Sequence, residues 1–466
     1  MLDFDVLSEL PTLPSQDTVT TFDHTTFSTY LPLPFRLFFL LILGFWLCAL
    51  NFHYFHLNGI AIPNLIKYTP HDNDPPLHSS IYRVSLVLSA IWLSGMLLFW
   101  RLTGGIAEEV ERWGILAIAT GGAVLAALTW PGAKWYGRGR TRFLRTLRRV
   151  GVGGLDRDLR FPDLLLADVI TSYAKTLGDI YILLCMALLH RGGMSYSITS
   201  RPDRSCGGSF GVPFVMAIPS LIRLRQCFTD YLRTRRKGGM GRKAANIHLW
   251  NAGKYASAFP VILFSAVQRE WGVGVDDGGD GSGQHILTKN VVSRLWLLCV
   301  FLNSGYSFYW DVTMDWGLTI FRSTSPSGDV VSGGEKPNHP WGLRPNRQYH
   351  SPALYYAVVI LDFLLRCTWS FKLSPHLGYV NDLEGGIFML ELAELVRRWM
   401  WVFFRVEREW VGLGVREREM LVLGEVGGGG GGEEREMEGE LLEKVEERER
   451  LEEWRRGGAG EEGGLV

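Results

Sequence analysis

No lysine or arginine precedes Arg36. A cleavable secretory leader needs a positive start and an early apolar core. The Thr/Pro-rich opening, residues 1–34, therefore reads as a disordered N-terminal segment, and membrane insertion is expected to come from later blocks. Cysteine is scarce, with six in 466 residues: Cys48, Cys185, Cys206, Cys227, Cys299 and Cys367. All but Cys206 sit in apolar stretches, which argues against a disulfide framework and for small buried hydrophobes. The sequence also lacks GxxxxGK[ST], HExxH and GxSxG, the local signatures of common soluble chemistries. GGSFG at 207–211 follows no strand, so it makes a poor phosphate cradle. His53 and His56 have helical spacing but no third ligand or carboxylate nearby, and interfacial histidines of this kind are usually structural. Asp72 and Asp74 form a DxD-like string without the large luminal loop a glycosyltransferase would want. No enzyme, metal or cofactor is expected.

What the chain has is apolar residues in blocks: 47% of it is hydrophobic and 12% aromatic. A spanning helix needs about 20 mostly apolar residues. Phe35–Phe52, Ile81–Trp100, Trp113–Trp130, Asn290–Trp310 and Ser351–Phe371 satisfy this. Pro162–Leu189, Gly211–Leu232, Ala244–Ala266 and Gly385–Phe404 do so with polar interruptions. The expectation is an all-α polytopic bundle of about nine spans.

Loop charge orients it, because cytoplasmic loops accumulate Lys and Arg. Lys134, Arg138, Arg140, Arg142, Arg145, Arg148 and Arg149 follow the third span. Arg233, Arg235, Arg236, Lys237, Arg242 and Lys243 follow the fifth. Two spans separate these loops, so both fall on one side, while 101–112 and 271–284 are acidic. The N-terminus is expected in the lumen and the C-terminus in the cytoplasm. VGVDDGGDGSG (273–283) reads as a flexible acidic insert. Residues 411–466, with GGGGGG at 427–432 and a Glu/Arg run behind it, read as a cytoplasmic tail.

Ionisable residues inside spans cost about 2.5–3.5 kcal/mol each on insertion scales, so they are expected to face a bundle interior or wet cavity. Asp168 and Asp179 fall in the fourth span, Arg223 and Arg225 in the fifth and Lys254 in the sixth. Asp311 and Asp315 end the seventh. Asp362, Arg366 and Trp369 share a face of the eighth; Glu394, Arg397 and Arg398 share a flank of the ninth. Internal bracing pairs such as Asp362–Arg366 or Glu394–Arg398 would explain one or two of these. Buried charge in every one of these neighbouring spans favours a polar pathway for an oxyanion, since guanidiniums offer forked donors matched to phosphate.

The strings LADVITS (166–172), IRLRQCFTDYLRTRR (222–236), NAGKYAS (251–257), SFYWDVTMDWGL (307–318), DFLLRCTW (362–369) and ELVRRWMWVFFRVEREW (394–410) resemble the EXS family. That membrane domain is shared by the retrovirus-receptor type phosphate exporters and the fungal ER-retention-defective protein. The resemblance covers about residues 35–410 and is strongest to the short fungal form, which lacks the exporters' SPX domain. It implies a Golgi membrane protein that returns inorganic phosphate from lumen to cytosol, supporting luminal glycosylation and retention of ER and Golgi proteins. By matched motif it implies a phosphate pathway of Asp168, Arg223, Lys254, Tyr255, Asp311, Arg366, Trp369, Glu394, Arg397 and Arg398. Thr171 stands where relatives can carry Asn. Partners expected with it are inorganic phosphate, membrane lipids, Golgi glycosyltransferase-sorting factors and a second copy of the chain, not nucleic acid. The alternatives are a non-transporting adaptor that sorts Golgi glycosyltransferases and an intramembrane enzyme acting on a phosphorylated lipid.

Overall fold

The computed structural model describes residues 27–68, 75–130, 137–153, 160–189, 206, 208–236, 241–273, 282–321, 342–344, 346–368 and 384–426. Every regular element among them is helical. In order these are α1 (Leu33–Leu57), α2 (Ile62–Leu65), α3 (Leu77–Thr103), α4 (Ala107–Arg112), α5 (Gly114–Thr129), α6 (Gly137–Gly151), α7 (Arg160–Ser172) and α8 (Ala174–Leu189). They continue with α9 (Gly211–Arg236), α10 (Gly241–Ala256), α11 (Ala258–Val273), α12 (Ser282–Trp310) with a π turn at Asp311–Asp315, α13 (Pro352–Arg366) and α14 (Glu384–Val426).

Among the described residues, three helices are long and apolar enough to cross a membrane: α1, α3, and α12 with its π turn. The α7–α8 pair forms a fourth such stretch, bent by 63°. α5 is apolar but only 16 residues long. The other expected spans are helical too, but charge or a break dilutes them: α9 carries Arg223, Arg225 and Asp230, and α10 stops before α11 begins.

α1 packs between α3, α5, α8 and α14, and small residues let the backbones close. A Cβ on Gly44 of α1 would lie 1.9 Å from the Tyr173 hydroxyl; one on Gly121 of α5 would lie 2.0 Å from the Phe38 ring. Part of the opening segment is also ordered. Phe27 meets Phe388, Arg36 lies over Phe27 and pairs with Glu384 at 2.9 Å, and Trp100 Nε1 donates to Tyr30 O. The expected disorder of 1–34 thus does not extend to residues 27–34; residues 1–26 lie outside the described set.

Several arginines expected to be free in basic loops, or buried in a span, close helix ends instead. Arg140 donates to Ala127 O at 2.7 Å, Arg142 to Ile66 O at 2.6 Å, and Arg225 to Val150 O at 2.7 Å. Terminal carbonyls have no intrahelical donor and carry the negative end of the helix dipole, so a guanidinium there satisfies both. Arg225 therefore leaves the expected set of pathway charges. Arg149 grips Asp163 at the start of α7.

The largest apolar cluster, around Trp316, Trp401, Tyr355 and Phe404, lies where the π turn meets α14. Within it Glu407, fully buried, accepts hydrogen bonds from Arg344, Tyr355 and the Gln348 amide, tying the segment before α13 to α14. α14 has 43 residues, hence a length of about 65 Å, roughly twice the hydrocarbon thickness. The start of the expected tail at 411 is a continuation of this helix; residues 427–466 lie outside the described set. So does most of the acidic insert, whose ends belong to α11 and α12.

One cysteine expectation is corrected. Cys185 at the end of α8 is disulfide-bonded to Cys206, 21 residues on. Cys206 stood out as the one cysteine outside the apolar blocks, but nothing in the sequence named its partner.

Candidate functional site

Breaks in helices position the site. α7 ends at Ser172, where Thr171 Oγ1 turns back to Asp168 O at 2.6 Å and Tyr173 OH reaches Leu40 O across α1. This leaves Asp168, Thr171 and Ser172 at a helix end inside the bundle. α10 ends just after Lys254 and Tyr255, and Ser257 Oγ caps the Lys254 carbonyl at 2.7 Å. At the end of α12 the helix widens into the π turn that contains Asp311 and Asp315, and Gly317 at φ +64° leads the chain away. Such π turns cluster at functional sites, and discontinuous helices mark binding sites in many transporters.

The adjacent Lys254 and Tyr255 serve two halves of one charge network. Tyr255 donates to Asp168, which also receives Arg223 Nε at 2.8 Å; Arg223 donates further to Gln226 at 2.7 Å and to the Tyr255 oxygen at 2.9 Å. Lys254 Nζ lies 2.8 Å from Asp311 and 3.2 Å from Asp315. Asp311, with no exposed surface, also accepts from Arg366 and has Arg397 Nη1 at 3.6 Å. Asp362 receives Arg366 at 2.9 Å and Arg397 at 3.2 Å. Glu394 takes a two-pronged grip from Arg397 at 2.6 and 2.9 Å, plus the Ser172 hydroxyl at 2.7 Å. The carboxylates Asp168, Asp311, Asp315, Asp362 and Glu394 match the cations Arg223, Lys254, Arg366, Arg397 and Arg398 in number. That balance matters because each unpaired buried charge costs several kcal/mol.

Arg398 differs from the other four. Among the described residues its guanidinium meets no carboxylate: Nε donates to Ser172 Oγ at 2.9 Å, Nη2 to Thr171 Oγ1 at 3.1 Å, and the plane stacks 4.7 Å from the Trp401 ring. Nη1 is buried without a hydrogen-bond partner. The expected Glu394–Arg398 pairing is replaced by Glu394–Arg397, with Ser172 in between. Beside them, Glu394 keeps 37% of its side chain exposed while it holds Arg397 and Ser172.

Nine of the ten expected site residues, Asp168, Arg223, Lys254, Tyr255, Asp311, Arg366, Glu394, Arg397 and Arg398, are drawn into this network; Trp369 lies outside the described residues. Ser172 and Gln226 were missed, since a serine or glutamine in a span carries no cost large enough to stand out. Asp315 and Asp362 were visible as in-span charges and prove to be members.

The EXS family model matches residues 31–411. The chain belongs to the EXS family. It is 29% identical over 417 residues to Protein ERD1 homolog 2 of Schizosaccharomyces pombe, covering 81% of this chain and 96% of that relative. It is 28% identical over 394 residues to SPX and EXS domain-containing protein 1 of Dictyostelium discoideum, and 26% identical over 383 residues to Solute carrier family 53 member 1 of Mus musculus. The chain covers 38% and 49% of those two, so the likeness is nearly end to end with the ERD1 homologue and partial with the larger proteins.

Proposed function

We propose that this membrane protein moves inorganic phosphate from Golgi lumen to cytosol through the space beside Glu394, with Arg398, Arg397, Arg366, Lys254 and Arg223 as the phosphate-facing cations. The observation that carries the reading is Arg398: a buried guanidinium with a spare N–H, backed by an aromatic ring, beside an accessible carboxylate already held by its neighbour. An entering anion completes the hydrogen bonding of Arg398 and competes with Glu394 for Arg397, so it is held only as tightly as a conduit allows. Asp168, Asp311 and Glu394 hold the cations in place, the Tyr255 hydroxyl donates to the anion when it lets go of Asp168, and Trp369, which lies outside the described residues, is assigned the apolar wall.

This reading takes the chain as about nine spans, N-terminus luminal and C-terminus cytoplasmic. The Cys185–Cys206 bond supports that direction, since it joins the segment between the fourth and fifth spans, which loop charge assigns to the lumen, and disulfides persist in oxidising compartments. The adaptor alternative would use the basic loops 134–149 and 233–243 and the tail, and in the first of these Arg140 and Arg142 are already engaged with helix ends.

The test is labelled-phosphate efflux from proteoliposomes. Arg398→Gln should lower the flux at least tenfold while the protein keeps its melting temperature. Undiminished flux overturns the site, and a flux-dead variant that still restores retention of luminal proteins separates retention from transport.

A further inference from the structure

Past the π turn the chain runs into a second cluster of cations. Gly317 lies two residues after Asp315, so its Cα is within about 7 Å of the edge of the network. Beyond it the Thr319 amide donates to Gly342 O at 2.7 Å. The two backbones approach so closely that a Cβ on Gly342 would stand 2.7 Å from Ile320 Cα. This contact sets the segment before α13, with Arg344, Arg347 and Tyr349, against α14. A Cβ on Gly317 would lie 3.1 Å from Arg408 Nε and 3.5 Å from Arg344 Cδ, so two arginines flank one glycine. Arg347 brings a third guanidinium, 6.0 Å from the Tyr355 ring.

These groups are short of acceptors. Glu407 already takes Arg344 Nη2, the Tyr355 hydroxyl, and the Gln348 and Tyr349 amides at 2.7 and 3.4 Å. A carboxylate has about four lone-pair sites, so this one is full. Arg344 Nε and Nη1, Arg347 Nη1 and the Tyr349 hydroxyl are all buried without a hydrogen-bond partner. Arg347 meets no carboxylate among the described residues, so Arg344 and Arg347 share the single charge of Glu407. Buried donors are costly unless an acceptor meets them, and native chains leave few such groups. Several within residues 344–349 mark a place built for an acceptor that the chain itself does not supply. A small oxyanion offers both the lone pairs and the missing negative charge, and it suits the forked geometry of guanidinium.

We propose that Arg344, Arg347 and Tyr349 form a second oxyanion site, which receives phosphate as it leaves the network for the cytosol. The place on the exit path rests on the phosphate-transport reading above; the capacity to bind an anion does not. Loop charge assigns the segment before the eighth span to the cytosol, the side toward which the phosphate moves. Arg344 is held by Glu407 and is 10% exposed, whereas Arg347 is half-buried and faces the exit more openly. Glu407 differs here from Glu394: its oxygens are filled, so it positions Arg344 without competing for the anion. The spare donors are buried beside Leu343 and Tyr349, which fits a small free anion better than a headgroup tethered to a lipid.

Melting curves of the full-length protein in detergent, taken against inorganic phosphate with gluconate holding the ionic strength constant, decide the binding. Arg398→Gln disables the first site, so the rise in melting temperature that phosphate still produces in this variant isolates the second. Adding Arg347→Gln should raise the phosphate needed for the same rise about tenfold, the loss of one charged hydrogen bond. Tyr349→Phe removes the spare hydroxyl, leaves every charge in place, and should raise it severalfold. No rise in Arg398→Gln, or a rise that survives both further changes, overturns the site. A rise given by phosphatidylserine but not by inorganic phosphate assigns the donors to a lipid headgroup and overturns it too. In proteoliposomes Arg347→Gln alone should lower phosphate efflux at least threefold, and efflux at the wild-type rate overturns the exit role. Absence of efflux from wild type overturns the transport reading and the exit role with it, while the melting curves still decide whether the anion binds.

Discussion

Ser172 stands between Arg398 and Glu394: it accepts from Arg398 Nε at 2.9 Å and donates to Glu394 Oε1 at 2.7 Å. One hydroxyl thereby keeps apart a guanidinium and a carboxylate that are i,i+4 neighbours on a single helix, a spacing that ordinarily pairs them. Removing it should let Arg398 fall onto Glu394 and neutralise the one cation of the network that meets no carboxylate among the described residues. Ser172→Ala is expected to lower phosphate efflux about tenfold or more, the equivalent of one charged hydrogen bond of about 1.5–3 kcal/mol, and Ser172→Thr should largely restore it. Efflux at the wild-type rate in the alanine variant would contradict the spacer role.

The membership of this network was largely visible in the sequence, because Asp, Arg and Lys inside apolar blocks are too costly to be incidental. Its wiring was not. Arg223 and Arg225 are two residues apart, so they point to opposite sides of α9, one to Asp168 and the other to the end of α6. The helix breaks were equally hidden: they fall at Tyr173 and Ser257, neither of them glycine or proline, whereas Pro219 sits inside the unbroken α9. Arg398 chose Ser172, 226 residues away, over Glu394 on its own helix, a choice only tertiary packing makes. The apolar periodicity that located α1, α3 and α12 says nothing of such contacts.

The bend after α7 leans on α1 through Gly44. With the Tyr173 hydroxyl 1.9 Å from where a Cβ would stand, Gly44→Ala must push Tyr173 away and disturb Ser172 beside it. The expected cost is about 1–3 kcal/mol, typical of overpacking, together with reduced efflux. Tyr173→Phe removes the clashing oxygen, so the double variant should recover part of the lost melting temperature. Additive losses in the double variant would show that the contact is not the cause.

Glu407 holds the segment before α13 with donors from Arg344, Gln348 and Tyr355 converging on one carboxylate. Burial, with Glu407 next to it, holds the neighbouring Tyr349 phenol above its ordinary titration range, so that ring stays neutral at any physiological pH. Glu407→Ala leaves Arg344 buried without its counter-ion and should destabilise the protein by about 3–5 kcal/mol. Loss of detergent-solubilised protein by size-exclusion chromatography at moderate temperature would report it. A variant as monodisperse and heat-resistant as wild type would remove Glu407 from the structural account.

The disulfide offers a direct check on direction. If the loop between α8 and α9 is luminal, Cys185 and Cys206 are oxidised in sealed Golgi vesicles. A membrane-impermeant maleimide added outside should then leave both unlabelled, even after a permeant reductant has opened the bond. Permeabilising the vesicles after reduction should expose Cys206 to the same reagent. Cys185→Ser should leave Cys206 labelled after permeabilisation without any reductant, and cost about 2–4 kcal/mol of stability for a loop of this length. Labelling of Cys206 from outside intact, reduced vesicles would place that loop in the cytosol, reverse the orientation drawn from the basic loops, and turn the proposed phosphate movement the other way.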